Sequence, residues 1–429
     1  MARLVIWSQQ EAQNILQKRI ADAFEARRIF ENAWTECERA VFNTRGHTSE
    51  RMHEIVGPDG IVSSSGVMES TDTDVGVNYA FKNVRFLHAQ LSANPPSIAV
   101  RPLTSDAQDR RKAEAAEVLK QHFLRQYKLQ ETQDQISLST LVYGIGIGKV
   151  FYDPDLGEIM AVDDEGVVTM EGDFCVKSCK VWDVAIDPDA SRWEDVRYVV
   201  ERMYIPYEEA CFYWPEALEL IKSARRTSTD EDSESALNLP KTDVVEVFEY
   251  WEKGSGPNGM LGRYALCLKS GQLLEPVKPN PHRFSPPATS GKIGDKKATP
   301  RPPVAHLPYV IFTDVDVPDR IYGTSALAFA LELQKVMNNL DASALDNVYA
   351  HSVARLLLPD GCELREGSIT TSAWDVVKTS GMQDPKFMAP LPLPSALVDL
   401  RNRFEAGIDT VFGVNESMFG QQSDRKSVV

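Results

Sequence analysis

Over the sixteen residues STLVYGIGIGKVFYDP, Ser139 to Pro154, the hydrophobic spacing switches from helical to alternating. Upstream of Gly144 the chain reads as a helix; downstream, apolar and β-branched residues alternate as in a strand. Gly144, Gly146 and Gly148 sit at the switch with one residue between each, and Lys149 follows. A phosphate-binding loop is the competing reading, and it fails on order and spacing. That loop needs four residues between its glycines, Ser or Thr after the lysine, a strand before and a helix after. Here Val150 follows Lys149, and the order is helix, glycines, strand. The dinucleotide fingerprint also runs from strand to helix, so it fails too. The stretch is therefore a helix-to-strand junction: Gly144 caps the helix, small residues let backbones approach, and Lys149 opens the strand. A chain with such a junction must fold as a mixture of helix and sheet.

The spacing on either side extends this division. Ser8 to about Val41 has helical period, with Ile15, Ile20, Phe24, Ile29, Phe30 and Trp34 as its stripe, and Ser8 with Glu11 forms a capping box. Residues 42–72 are rich in Gly, Ser and Thr and read as an irregular excursion. Helices are expected from about Asp74 to Ser92, from Ser105 to Gln130, and over TQDQISLSTLVYG. From Lys149 to Arg202 the texture is that of strands between Asp/Gly turns. Two short helices divided at Pro215 follow, then an acidic Ser-rich linker, and then a strand meander from DVVEVFEYWEKG through QLLEPV. Residues 276–303 hold eight of the 25 prolines and are locally basic, which favours an extended, exposed segment. A long helix is expected from about Thr324 to His351, capped by Thr324 or Ser325. Leu333, Val336, Met337, Leu340, Ala344 and Val348 line one of its faces; Glu332, Lys335, Asn339 and Asp346 line the other. After LLLPDGCEL comes a loose Ser/Thr/Gly region, and a last helix spans about Ser395 to Val411.

Several chemistries are excluded on residue pattern. Cys175 and Cys179 share a strand face, but no second pair or nearby His completes a zinc site. The seven histidines show no paired spacing. The triplets Asp153-Pro154-Asp155 and Asp187-Pro188-Asp189 lack Gly at the sixth position of a calcium loop and read as turns. No nucleophile motif is present. No cofactor, metal or catalytic set is assigned, and the chain reads as a non-enzyme. Six scattered cysteines read as reduced thiols. No run of eighteen apolar residues exists, and the N-terminus is too short in apolar residues for a signal peptide, so no membrane partner is expected. A formal net charge of −16 argues against a conventional nucleic-acid binder. It is compatible with a protein that DNA must pass without sticking, but acidity is common among soluble proteins and carries little weight alone.

Five segments together resemble the portal proteins of tailed bacteriophages: YAFKNVRFLHAQLSANPPSIAVRP, STLVYGIGIGKVFYDP, KVWDVAIDPDASRWEDVRYVVERMYIPYEEACFYWPEA, DVVEVFEYWE with the later LPYVIFTDVDVPDRIYGTSALAFALELQKVMNNLDASALDNV, and DTVFGVNESMFG. The resemblance covers most of residues 75–420 and lies in their order as much as in each segment. It implies an α+β subunit, mainly helical with β-rich wing and clip parts, forming a ring, usually dodecameric, around a DNA channel at one capsid vertex. It implies a wing over residues 1–205, a first stem helix and acidic linker over 206–242, and a clip over 243–322 with the basic loop 276–303. A second stem helix over 323–351, a tunnel-loop region over 352–394, and a helix over 395–429 leading to the crown would complete it. Family members continue into further crown helices, so a minimal crown or a truncated form is implied.

The implied partners are the same chain in a ring, the terminase large subunit, head-completion or adaptor proteins, the major capsid and scaffolding proteins, and duplex DNA read without sequence specificity. The implied location is the virion, with the host cytoplasm during assembly. Glu332, Lys335, Asn339 and Asp346 become candidate channel-facing residues, Lys335 as part of a sparse positive ring. Lys292, Lys296, Lys297 and Arg301 become candidate partner-binding residues on the clip. Another virion structural or scaffold protein stays open as an alternative, as does a nucleotide-using enzyme.

Overall fold

The computed structural model describes residues 7–42, 77–94, 99–102, 105–154, 156–162, 168–226, 243–254, 262–284, 304–352, 354–359, 374–379, 386–388 and 395–414. It is a mixture of helix and sheet, with about half of the described residues helical. None of the described helices is long and apolar enough to cross a membrane. The chain divides into two units, Met1–Arg39 with Val84–Ala328, and Ala40–Asn83 with Phe329–Val429.

The first unit opens on α1 (Gln9–Phe42), which belongs to it as far as Arg39. Its capping box is formed as the sequence predicts: the Ser8 amide donates to the Glu11 carboxylate at 3.0 Å, and the Glu11 amide donates back to Ser8 Oγ. Ala12, Leu16, Ile20, Ala23, Arg27 and Trp34 are its buried line. Ile29, expected in the stripe, is exposed, and Arg27 takes a buried position because its guanidinium donates to the carbonyls of Val181, Trp182 and Val184. Three helices follow, α2 (Tyr79–Ala93), which is in this unit from Val84 on, α3 (Ala107–Gln126) and α4 (Leu129–Tyr143).

After Gly144 come β1 (Ile145–Asp153), β2 (Ile159–Val162), β3 (Val168–Met170), β4 (Asp173–Cys179), β5 (Val184–Ile186) and β6 (Tyr198–Pro206). The helices α5 (Tyr207–Tyr213) and α6 (Leu218–Ser223) are divided at Pro215 as expected. Then come β7 (Arg225–Arg226), β8 (Val244–Glu252), β9 (Arg263–Leu268), β10 (Lys278–Pro279), β11 (Arg283–Phe284), β12 (Val304–Ala305) and β13 (Tyr309–Thr313). The QLLEPV segment is not a strand; it contributes only an isolated bridge between Cys267 and Leu273.

Two sheets matter for the site. One has the order β13-β1-β4; the other runs β10-β9-β8-β6-β5, with β7 on β8. The return of β13 to pair with β1 joins residues more than 150 positions apart, from Ile145↔Thr313 to Lys149↔Tyr309. Side chains alternate across β6 and β8, so each strand serves two cores. Tyr198, Val200, Phe248 and Tyr250 pack on Leu16, Ile20 and Ala23 of α1. On the opposite face Val245 and Val247 meet α5 and α6, while Val199 and Trp251 meet Ile145, Ile147 and Trp182.

The second unit contains α7 (Ala326–Ser352) from Phe329 on, β14 (Ala354–Pro359), β15 (Trp374–Thr379), β16 (Lys386–Met388) and α8 (Ser395–Val411). β14 pairs parallel to β15 and antiparallel to β16, so the region read as loose holds two strands. Met337 and Ile408 are its largest fully buried apolar side chains among the described residues. The Gln334 side-chain oxygen accepts from the Tyr79 amide at 3.1 Å, and Arg401 donates to Asp341 at 2.6 Å.

Candidate functional site

The GIGIGK stretch is the end of a helix and the start of a strand, and its glycines are there because backbone passes too close for side chains. Gly144 ends α4 with φ +79°, the left-handed conformation that favours glycine. A Cβ at Gly144 would lie 2.4 Å from the Ser325 nitrogen, and one at Gly146 would lie 2.5 Å from the Ile136 carbonyl oxygen. At Gly148 it would meet only the tip of Ile136, at 3.0 Å.

Lys149 is where the expectation fails. It does more than open a strand: it is 2 % exposed and stands at the centre of a buried charge cluster. Alternation on β1 puts Ile145, Ile147 and Lys149 on one face, toward the face of the second sheet that carries Glu201 of β6 and Glu249 of β8. Glu201 and Glu249 are direct cross-strand partners. Like charges in that position repel. The Lys149 ammonium sits against both, donating to Glu201 Oε2 at 2.6 Å and to Glu249 Oε2. Tyr309 donates its hydroxyl to Glu201 at 2.8 Å, and Lys177 reaches the other Glu201 oxygen at 3.0 Å.

The cluster thus balances two ammonium groups with two carboxylates. Burial alone would raise the Glu201 carboxyl; Lys149 and Lys177 outweigh it and hold it at about 2. Burial alone would likewise lower the Lys149 ammonium, and Glu249 and Glu201 raise it. Both directions stabilise the charged pair. An ammonium committed in this way is not placed to hold a phosphate, and it ties one sheet to the other. The signal was legible in principle: Val199 and Glu201, and Val247, Glu249 and Trp251, put carboxylates on otherwise apolar strand faces, which demands a buried cation.

The second Asp-Pro-Asp triplet is a turn. The Asp187 carboxylate accepts from Arg197 Nε at 2.6 Å and Nη2 at 2.8 Å, and the Ala190 amide closes the turn on the Asp187 carbonyl. Burial would raise the Asp187 carboxyl, but these hydrogen bonds bring it below its ordinary value. Asp187→Asn removes the charge opposite a half-exposed arginine, and we expect a loss of about 1–2 kcal/mol, read as a lower urea midpoint at pH 7. Among the described residues, no group of three or more His, Cys, Asp or Glu side chains is placed to hold a metal ion.

On α7, Ser325 is the cap, accepting from the Leu327 amide at 3.0 Å. Glu332, Lys335 and Asn339 are exposed, and Lys335 pairs with Glu332 at 3.2 Å. Asp346 lies on the helix backbone seven positions after Asn339; its side chain is outside the described set. The apolar stripe is shifted from the one expected: Ala330, Leu331, Gln334 and Met337 are buried, while Val336 and Val348 are exposed. Lys292, Lys296, Lys297 and Arg301 lie outside the described residues.

Residues 76–256 match the phage P22-like portal protein family. This segment is similar to the portal family. The matched segment holds the Gly144–Lys149 junction, both carboxylate partners of Lys149, and α2 through β8. The resemblance read from the sequence is thereby supported over that range; α7 and α8 lie beyond it. No curated protein matches the chain.

Proposed function

We propose that the chain is the subunit of a phage portal, a dodecameric ring at one capsid vertex whose channel passes duplex DNA during packaging and ejection. The observation that carries this reading is the portal-family match over residues 76–256. Residues 1–205 form the wing and 243–322 the clip. The descending stem falls in 206–242, whose described part is the short pair α5 and α6 with the two-residue β7. Residues 323–351 are the returning stem helix, 352–394 the tunnel-loop region, and 395–429 the approach to the crown. A 27-residue α7 is roughly 40 Å long at 1.5 Å per residue, a length that suits a stem.

Glu332, Lys335, Asn339 and Asp346 face the channel in this reading, and Lys292, Lys296, Lys297 and Arg301 meet partners at the clip. The net charge of −16 keeps duplex DNA from adhering, because a wall of like charge repels the phosphates. The chain hydrolyses nothing itself; the terminase large subunit docks on the ring and supplies that chemistry. Head-completion or adaptor proteins follow on the same ring, and capsid and scaffolding proteins surround it. Native mass spectrometry of the purified chain is expected to give one dominant closed oligomer. A strictly monomeric chain under all assembly conditions overturns the reading.

A further inference from the structure

Two elements of the first unit are built as if to be covered, yet nothing described in the chain covers them. The first is the β2–β3 hairpin, a two-stranded sheet with no third strand. Ile159 and Met160 point to its two opposite faces and are 62 % and 69 % exposed, and Val168 is exposed as well. A lone hairpin with no buried face is marginal in water. Its charge is one-sided: residues 153–173 hold eight Asp or Glu and no Lys or Arg.

The second element is α3. In twenty residues it buries only Ala113. Val118, Leu119 and Phe123 are exposed, Val118 at 70 %. Helices in proteins owe most of their stability to packing of an apolar face, so a helix this open lacks a partner surface. Helical spacing sets Arg111 and Lys112 on the same side as Val118, Leu119 and Phe123. Arg110, Arg111 and Lys112 make no ion pair with any described acid, and the helix carries five Lys or Arg against three Asp or Glu in a chain of net charge −16.

We infer that the acidic β2–β3 hairpin of one copy seats on the basic, apolar face of α3 on the next copy. The occupant is a second copy because the two surfaces complement each other in charge and both offer apolar side chains at the centre. A contact between two different patches of one chain is head-to-tail, the type that propagates around a ring. Charged residues at the rim set partner and register, and Ile159, Met160, Val118 and Leu119 supply the buried centre. The inference rests on the ring reading and assigns one of its seams.

The test uses the full chain in three forms: wild type, the α3 variant R110E/R111E/K112E, and the hairpin variant E158K/D163K/D164K/E165K/E171K, which leaves three acids against five lysines over residues 153–173. Arg110, Arg111, Lys112, Glu158 and Glu171 lie on exposed surface, and thermal melts confirm that each variant folds. Each variant alone is expected to need on the order of ten-fold more protein to assemble, from several reversed rim charges. Mixed in equal amounts, the two are expected to assemble as wild type does, because every seam of an alternating ring then pairs opposite charges. A bis-maleimide should also link L119C/M160C chains into a ladder, whereas either single variant should not exceed the wild-type background.

Rings from both variants at wild-type concentration overturn the seam and leave the ring reading standing. Weakened variants that mixing fails to restore overturn the pairing of these two surfaces. A product that stops at the dimer overturns the head-to-tail arrangement. A monomeric wild type overturns both the seam and the ring.

Discussion

Replacing Lys149 with methionine is expected to destabilise the fold by about 3–5 kcal/mol, although the new side chain fills nearly the same space. The loss comes from what stays behind. Glu201 and Glu249 are cross-strand neighbours, both nearly buried, and without the ammonium their charges face each other in a poorly solvated site. For a unit of this size the melting temperature should fall by roughly 10 °C. The triple variant Lys149→Met, Glu201→Gln, Glu249→Gln should recover most of the loss, since a neutral set leaves no uncompensated charge.

Acid adds a second signature. The folded Glu201 carboxyl lies at about 2, against an ordinary value of 4.5. A depressed carboxyl contributes stability that is present above the ordinary value and is lost as pH falls through the folded one. The gap between wild type and Lys149→Met should therefore narrow between pH 4.5 and about 2. Equal stability of the two proteins at pH 7, in denaturant melts, would contradict the account of the cluster.

The second large effect is a gradient along the glycines. Gly144→Ala must adopt φ +79° and place a Cβ 2.4 Å from backbone atoms of Thr324 and Ser325, neither of which can swing aside. The left-handed conformation alone costs about 1 kcal/mol or more, and the overlap should bring the total to several kcal/mol. Gly146→Ala meets the Ile136 carbonyl and the Thr140 hydroxyl that donates to it, so it should be comparably damaging. Gly148→Ala meets only the movable end of Ile136 and should cost less than about 1 kcal/mol. Soluble yield and urea midpoints of the three variants give the order; a Gly148→Ala as damaging as Gly144→Ala would contradict the packing explanation.

Much of this was legible in the residues because it is local. The Ser8–Glu11 box, the end of α4 at Gly144, the break at Pro215 and the Ser325 cap each depend on a few neighbouring side chains, and each formed where spacing placed it. What was not legible depends on pairing across long separations. Nothing near Tyr309 announces that β13 returns to β1 more than 150 residues upstream. Without that return, and without the facing of β1 on β6 and β8, Lys149 cannot be seen as buried. The misplacement of Ile29 in the α1 stripe has the same origin: Arg27 is charged, yet carbonyls from a distant segment hold it in the core. On α7 the exposed flank of Glu332, Lys335 and Asn339 followed from helical period, while the shift of the buried line to Gln334 and Met337 follows from hydrogen bonds to Tyr79 and Ala80 that no period encodes.

The most direct measurement is a set of electron-microscopy class averages of the assembled chain viewed along its symmetry axis. The portal reading predicts closed rings with a central opening wide enough for duplex DNA and a subunit count that matches the native mass. Discs without an axial opening, or particles with no rotational symmetry, would contradict it.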